Sequence, residues 1–448
     1  MVKNKRNMHV KDTDQTMEVG VAKIDITPTK PMRLSGFAAR ETAKATEVFD
    51  RLSAKALALG SDSQYPSVFI TVDLLGVQWR IVSQAVDRLS AKTGIDPSRI
   101  AIAASHTHGG PEMGNLMNAL QCRGDYPTRF HFSETLLDLD QLITIAEYNE
   151  ELINKLEEVA LAALGNRKPA FVAWGQGEAT FGVNRITEGG PVDNALPVLR
   201  VTNLDGTLRA VFLNYATHGI TYGPDINKFH GDWMVEAQKQ IEAIYPEAVA
   251  MVAIGCAGDS HPVRQGKAEY VKAYGREIAS EVARVIQSPM TALLAPPVGK
   301  MGWIKLPFGK MPTVSELIRL AKTDSTIKGY YARLALERIQ RGEHLPREVD
   351  YPIQIWAFDD KMVMINMGNE VVTDYALKLK SKFGTDRVWI NTYANDVSCY
   401  VASRELIKAG GYEADVSMYW YNMPAPFAEE IEDIVIDAIV GLMPDSFE

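Results

Sequence analysis

The chain alternates between short apolar runs and longer stretches in which apolar residues recur at helical spacing. The run Val68–Val72 is typical of a buried strand, the stretch from Ile81 to Lys92 has the periodicity of a helix, and Ile100–Ala104 is typical of a second strand. A helix between two strands within about 35 residues favours a crossover that joins parallel strands.

The same alternation continues to the C-terminal end of the sequence. The pattern predicts helices over 149–164, 236–244, 269–286 and 427–443, strands over 198–201, 210–214 and 248–254, and a hairpin of 353–358 and 362–366 that turns at 359–360. We find no linker and no internal repeat after the polar segment 1–18, which we expect to be a flexible tail. The prediction is one α/β domain over 19–448, with a mixed β-sheet core flanked by helices.

Composition narrows the class of protein. A chain of 448 residues, 46% apolar and 23% charged, is large enough to bury a core without disulfides. Cys122, Cys256 and Cys399 are too few and too far apart for a disulfide framework. A net charge of −9 argues against a nucleic-acid partner. No apolar run approaches the roughly 20 residues of a membrane span. We therefore expect a cytoplasmic protein with a small-molecule substrate and no stable membrane association; the pattern is silent on oligomeric state.

Candidate chemistry begins at the strand that ends near Ala104, where the sequence continues Ser105-His-Thr-His-Gly-Gly-Pro111. Residues two apart in an extended chain share a face, so His106 and His108 can point into one pocket. Neutral imidazole is a common ligand of zinc and related metals. The alternative is a pair of ordinary polar residues at a strand end.

Two further loops place a histidine just after a predicted strand. Asn214-Tyr-Ala-Thr-His218 is followed by Gly219, and Gly255-Cys-Ala-Gly-Asp-Ser-His-Pro262 follows an apolar run. Each loop alone is equally compatible with a turn whose histidine is structural. Three such loops in one chain favour a shared site, and the sequence thus predicts a histidine metal centre.

The residues that carry this prediction also resemble the hydrolase domain of the neutral/alkaline non-lysosomal ceramidase family. The similar segments occur in the family's order: 19–28, 34–40, 69–76, 105–111, Asn184-Arg185, 214–218, 256–259, 368–370, 393–395 and Tyr400-Val401. The most recognisable is Ser105-His-Thr-His-Gly-Gly-Pro111. The resemblance implies the mixed α/β fold of the family's hydrolase domain.

The resemblance also implies specific roles. In the family one zinc ion is held by two histidines, a glutamate and a tyrosine, which correspond here to His106, His218, Glu370 and Tyr400. The second histidine of the motif, His108, would lie beside the reacting centre, and Arg185 matches an arginine that lines the substrate pocket. Iron or manganese would accept a similar set of ligands.

The sequence departs from the family at three places. The nucleophilic serine of the family immediately precedes a proline, whereas here His261 has that position and Ser260 lies one residue earlier. The family's Pro-Gly-Glu becomes Gly368-Asn369-Glu370. The sequence also ends without the C-terminal β-sandwich domain of full-length ceramidases and shows no secretion signal. These departures favour a substrate other than a membrane lipid.

We therefore predict a zinc-dependent hydrolase that cleaves an amide, ester or lactone bond of a small polar substrate with metal-activated water. His108 or His261 would transfer the proton, Tyr400 would stabilise the oxyanion and Arg185 would orient the substrate. The alternatives are an N-acyl amidase of the ceramidase type, a reaction with Ser260 as nucleophile, and an inactive homologue that binds a metal or ligand. A dinuclear phosphoesterase-like centre would draw its extra ligands from Asp73, His230 and Asp232.

Overall fold

The structure is a computed structural model that describes residues 16–40, 43–114 and 139–447. Most of the predicted tail and Cys122 lie outside these ranges. Met17 and Glu18, which we assigned to the tail, are already part of the first strand.

The described residues form nineteen strands and ten α-helices. The strands are β1 Met17–Asp25, β2 Met32–Arg33, β3 Lys44–Ala45, β4 Ser53–Leu59, β5 Ser67–Val72, β6 Ile100–Ala104, β7 Lys168–Glu178, β8 Gly182–Asn184, β9 Ala195–Asn203, β10 Leu208–Tyr215, β11 Val249–Ile254, β12 Ser260–Pro262, β13 Thr291–Leu293, β14 Val298–Pro307, β15 Glu348–Phe358, β16 Met362–Met367, β17 Glu370–Val371, β18 Val388–Asn391 and β19 Tyr400–Val401. The helices are α1 Trp79–Thr93, α2 Leu139–Gly165, α3 Asp232–Ile244, α4 Ala268–Gln287, α5 Val314–Thr323, α6 Ile327–Gln340, α7 Thr373–Phe383, α8 Arg404–Ala409, α9 Ser417–Trp420 and α10 Ile431–Leu442.

The larger of two main sheets is mixed and has nine strands. Its order is β11-β10-β9-β7-β1-β4-β5-β6, with β13 paired to β7. Strands β5 and β6 are parallel and joined through α1, so the predicted crossover is confirmed. A second parallel pair, β10 and β11, is joined through α3 in the same way.

The second sheet, β14-β15-β16-β18, packs face to face against the first. Helices α1 to α4 cover the outer face of the large sheet, and α7 and α10 cover the outer face of the small one. Strand β5 shows why its run is apolar throughout. Val68 and Ile70 pack under the helices, whereas Phe69 points between the sheets onto Phe212 and Trp356, at ring distances of 4.6 and 5.8 Å.

The two edge strands of the large sheet converge on one segment. Thr392–Asn395 follows β18 and hydrogen-bonds to β11, where the Thr392 amide donates to Ile254, and to β6, where the Ala104 amide donates to Tyr393. The carboxyl ends of β6, β11 and β18 therefore meet at one place, where the histidine loops also lie.

The predicted fold class is confirmed, and each predicted strand and helix overlaps an observed one, although α2 begins at Leu139, ten residues before the predicted start at 149. The second sheet was not predicted as a separate layer. Helix α10 begins at Ile431 rather than Phe427, because Phe427 stacks on Phe308 at 5.1 Å and bridges to the end of β14. Within the described ranges, no helix is both long enough and apolar enough to cross a membrane.

Candidate metal centre

His106 lies two residues after β6, in a backbone conformation that a side chain rarely adopts. Its φ of 58° places it in the left-handed region, where strain of about 1–2 kcal/mol is tolerated mainly at functional sites. Its Nδ1 lies 2.7 Å from the carbonyl oxygen of Leu75. Because a carbonyl only accepts, Nδ1 carries a proton, and the neutral tautomer of this ring presents the Nε2 lone pair to the centre of the site.

His218 follows β10 and is oriented in the same way. Its Nδ1 lies 2.7 Å from the carbonyl oxygen of Ala257, which fixes the same tautomer. Its ring centroid lies 4.5 Å from that of His106. Two imidazoles, each held from behind by a backbone carbonyl, therefore direct Nε2 toward one point.

Glu370 supplies the third group at this point. It opens β17, which pairs in parallel with β19, and the preceding Asn369 also has a left-handed φ of 66°. Glu370 Oε2 lies 3.2 Å from His106 Nε2 and 3.3 Å from His218 Nε2. The Tyr400 hydroxyl lies 3.3 Å from His218 Nε2. The four residues for which the resemblance implied metal binding are thus brought together, all of them buried.

Two of these groups have pKa values that their surroundings shift strongly. Burial, the Arg185 charge and His106 lower the pKa of His218 to about 3, so the ring is neutral near pH 7. Burial alone would raise the pKa of Glu370, but the neighbouring histidines hold it well below its usual range. An ionised carboxylate oxygen 3.2–3.3 Å from the Nε2 atoms of two histidines is an arrangement that a bound cation stabilises.

His108 lies beside these groups. A nitrogen of its ring falls within 4.8 Å of the corresponding atoms of His106 and His218, so the three histidines form a group that could bind a metal. Neither ring nitrogen of His108 has a hydrogen-bond partner among the described residues. Burial and the other two histidines lower the pKa of His108 well below its usual value. His108 is therefore a neutral, buried imidazole with a free lone pair.

Arg185 is close to the centre but is already engaged. Its Nε donates to Glu413 at 2.7 Å and its Nη2 donates to the Tyr400 hydroxyl at 3.0 Å. Burial alone would lower the pKa of Arg185, but Tyr400 and Glu413 raise it. The guanidinium acts on Tyr400, and whether it also contacts substrate stays a prediction.

Ser260 and His261 point in opposite directions because they are consecutive residues of β12. The Ser260 hydroxyl is fully buried and hydrogen-bonds to Thr217 at 3.4 Å. The Ser260 carbonyl accepts from the His218 amide at 3.1 Å. His261 is half-buried, and burial and the nearby Arg185 charge lower its pKa. The two side chains therefore lie on opposite faces of β12, and His261 Nδ1 lies 3.2 Å from Gln265 Nε2.

The extra ligands of a dinuclear centre are engaged elsewhere. Asp232 accepts hydrogen bonds from the amides of Thr221, Tyr222 and Trp233. Asp73 accepts from the Ser53 amide and from Gln238. Within the described ranges, neither joins a metal-binding group with His230.

The sequence did not indicate three residues that contact the site: two contact Glu370 and one contacts Arg185. The hydroxyl of Tyr421 donates to Oε1 of Glu370, and that of Tyr393 lies 3.4 Å from Oε2. Glu413 binds Arg185. Nothing in the spacing of the aromatic run 419–421 indicates a hydrogen bond to a carboxylate 51 residues away in sequence.

No family model matches the sequence, and no curated protein matches it. Solved structures do. A ceramidase in complex with C2 superimposes with a TM-score of 0.71 at 16% identity, covering 97% of this chain and 76% of that one. The neutral ceramidase of Pseudomonas aeruginosa gives a TM-score of 0.70 at 17% identity, covering 95% of this chain and 74% of that one. The expected fold is confirmed: the chain has the fold of the neutral ceramidases.

Proposed function

We propose that the protein is a mononuclear zinc hydrolase whose metal ligands are His106, His218, Glu370 and Tyr400. The observation that carries the proposal is the convergence of two imidazole nitrogens, a carboxylate oxygen and a phenol oxygen on one buried point. Ligands about 2.0–2.1 Å from a tetrahedral zinc ion lie roughly 3.3 Å from one another. The observed separations of 3.2 and 3.3 Å match that spacing without any rearrangement.

Such an ion supplies a Lewis acid at neutral pH. The residues around it would transfer the proton and stabilise the negative charge. His108, neutral with an unpartnered lone pair among the described residues, would accept a proton from the attacking water. Arg185, through its bond to the Tyr400 hydroxyl, would stabilise negative charge that develops on a substrate oxygen.

Water is the better candidate for the nucleophile. The Ser260 hydroxyl is hydrogen-bonded to Thr217, and no described histidine forms a hydrogen bond with it. A serine needs an adjacent base to attack. The reaction class we propose is therefore hydrolysis of an amide, ester or lactone by water. Ceramidase-type N-acyl amide cleavage is one member of this class, and a small polar substrate is another.

The test is metal content and hydrolysis measured together. We expect about one zinc per chain in the wild type and none in His106→Ala or His218→Ala. His230→Ala is the matched control, because His230 is equally buried but lies outside the histidine group, so this variant should keep its metal. A panel of amides, esters and lactones should then give turnover that disappears with the metal.

Each negative result of this test contradicts a different part of the proposal. Wild-type protein without metal, even after incubation with zinc, would contradict the metal centre. Metal bound at full occupancy with no turnover across the panel would favour a homologue that binds metal or ligand but does not react. Two metal ions per chain would revive the dinuclear alternative.

A further inference from the structure

The side chain that holds Arg185 comes from an unusual backbone element. Gly410 and Gly411 have φ values of 74° and 99°, and a short π-helix, Tyr412–Val416, follows them. π-helical turns occur mainly at functional sites. The second residue of this turn is Glu413, whose side chain is 93% buried and bonds Arg185 Nε at 2.7 Å.

Arg185 lies between Tyr400 and Tyr412, and its Cζ atom is 5.6 Å from the centroid of each ring. These ring contacts restrain the guanidinium but leave it free to rotate in its own plane. The bond from Nε to Glu413 removes that freedom. With Nε fixed, Nη2 is directed to the Tyr400 hydroxyl at 3.0 Å, and Nη1 lies 3.4 Å from His218 Nε2.

We infer that Glu413 is a positioning residue of the metal centre, which acts through Arg185 to fix the hydroxyl of Tyr400. The inference rests on the proposed function, since Tyr400 is one of the four proposed ligands. A buried guanidinium that loses its carboxylate is strongly destabilised and moves toward water or another acceptor. Tyr400 would then keep its place in β19 but lose the donor that orients its oxygen.

The π-helix is also held in place by a contact outside the site. Asp415, two residues after Glu413, forms an ion pair with Lys328 of α6, and Lys328 also lies 5.3 Å from the ring centroid of Tyr419. Helix α6 thus anchors the turn that delivers Glu413. Glu413 is therefore held by its bond to Arg185, and its segment is anchored at Asp415, as a positioning residue requires.

Cobalt substitution tests this inference without a known substrate. Co²⁺ takes the place of zinc, and its visible absorption reports the geometry of its ligands. In Glu413→Ala, Co²⁺ should bind at the wild-type stoichiometry with a shifted spectrum and a tenfold or greater loss of affinity. Glu413→Gln, which keeps an acceptor but not the charge, should give an intermediate shift. Glu432→Gln is the matched control, because Glu432 is equally buried but bonds Lys378 and Arg404 instead.

Turnover and a double-mutant cycle complete the test. Where a substrate is found, kcat should fall tenfold to a hundredfold in Glu413→Ala while KM changes less than about twofold. Arg185→Ala alone should lower kcat by the same factor as the double variant that combines it with Glu413→Ala, since both residues act on one hydroxyl.

The outcomes separate the two proposals. Wild-type protein that binds no cobalt contradicts the metal centre and, with it, this inference. If the wild type binds cobalt and both Glu413 variants have the spectrum and affinity of the wild type, the positioning role alone is overturned. If Glu413→Ala does not fold, Glu413→Gln decides. Additive losses in the cycle would also contradict the inference.

Discussion

The hydroxyl of Tyr421 donates to one oxygen of Glu370, and His106 and His218 both face the other oxygen. The carboxylate is thereby fixed in its rotation, with Oε2 held toward the histidines. Outer groups of this kind contribute about tenfold to a hundredfold to metal affinity. We expect Tyr421→Phe to bind zinc at full stoichiometry but with affinity lower by that factor, as measured by competition with a chelator.

Tyr331→Phe is the control for this substitution. Tyr331 is buried like Tyr421, but its hydroxyl has no hydrogen-bond partner among the described residues and it packs on Tyr419 outside the site. Its variant should bind zinc as the wild type does. Equal affinities in all three proteins would mean that Tyr421 does not orient Glu370.

His108→Ala distinguishes two possible ligand sets. If the metal is held by His106, His218, Glu370 and Tyr400, the variant keeps about one zinc per chain. It then loses kcat by roughly a hundredfold or more, because general base catalysis is worth about 10²–10⁴. Elemental analysis beside turnover checks this. Loss of the metal in His108→Ala would instead make the three histidines the ligands.

Ser260→Ala should leave turnover within about threefold of the wild type. The Ser260 hydroxyl is fully buried against Thr217, and the only part of Ser260 that reaches the site is its carbonyl, which the substitution keeps. His261→Ala should lower kcat more than Ser260→Ala, because the His261 ring is half-buried on the opposite face of β12 from the buried Ser260 hydroxyl. A trapped acyl-enzyme, or an inactive Ser260→Ala that still folds, would contradict hydrolysis by water.

How much the sequence predicted depends on the range of the interactions. The loops of His106 and His218 were found because each follows a strand whose apolar run is visible locally. Glu370 could not be found in this way, since it acts through β17, a strand of two residues that pairs with another strand 30 residues later. Only the resemblance to the ceramidases assigned it.

The second sheet shows the same limit at the level of the fold. The hairpin of β15 and β16 was predicted from its own alternation. Its place against the large sheet depends on Trp356 and Trp389, which pack on Phe69 and Phe212 from distant parts of the chain. A local pattern indicates that such side chains are buried but not which face they meet. Glu413 is a further case, because the π-helical register that turns it inward leaves no periodic signal.

A buried lysine joins the large sheet to α3. Lys55, with 2% of its side chain exposed, donates to Gln238, to Glu242 at 3.0 Å and to the Ala250 carbonyl at 2.6 Å. Lys55→Met removes the charge but leaves Glu242 and the buried Asp73 without it, which should destabilise the protein by about 3 kcal/mol. Chemical denaturation measures the change. Lys23→Met, at 3.6 Å from the same Glu242 but 46% exposed, should cost less than about 1 kcal/mol.

Asp396 gives the stability of the fold a pH dependence that is opposite in sign to the one that most carboxylates give. Its carboxylate accepts from the amide of Trp79, the first residue of α1, and burial raises its pKa from 3.8 to about 6. A carboxyl whose pKa is higher in the folded state stabilises the fold fully below the unfolded pKa, and this contribution is lost as the pH rises through the folded pKa. A difference of about two pKa units corresponds to roughly 3 kcal/mol.

Asp396→Asn keeps the acceptor for Trp79 and removes the titration. Relative to the wild type, the variant should therefore gain up to roughly 3 kcal/mol between about pH 4 and about pH 7, as measured by denaturation at both pH values. Asp96→Asn is the control of opposite direction, because hydrogen bonds from Ser98 lower the pKa of Asp96. Its stability relative to the wild type should fall as the pH rises to about 4, near the pKa of an unfolded aspartate, and should change little from there to pH 7. Equal slopes for wild type and Asp396→Asn would mean that Asp396 titrates as an exposed carboxyl does, and that the amino end of α1 is not held by a buried charge.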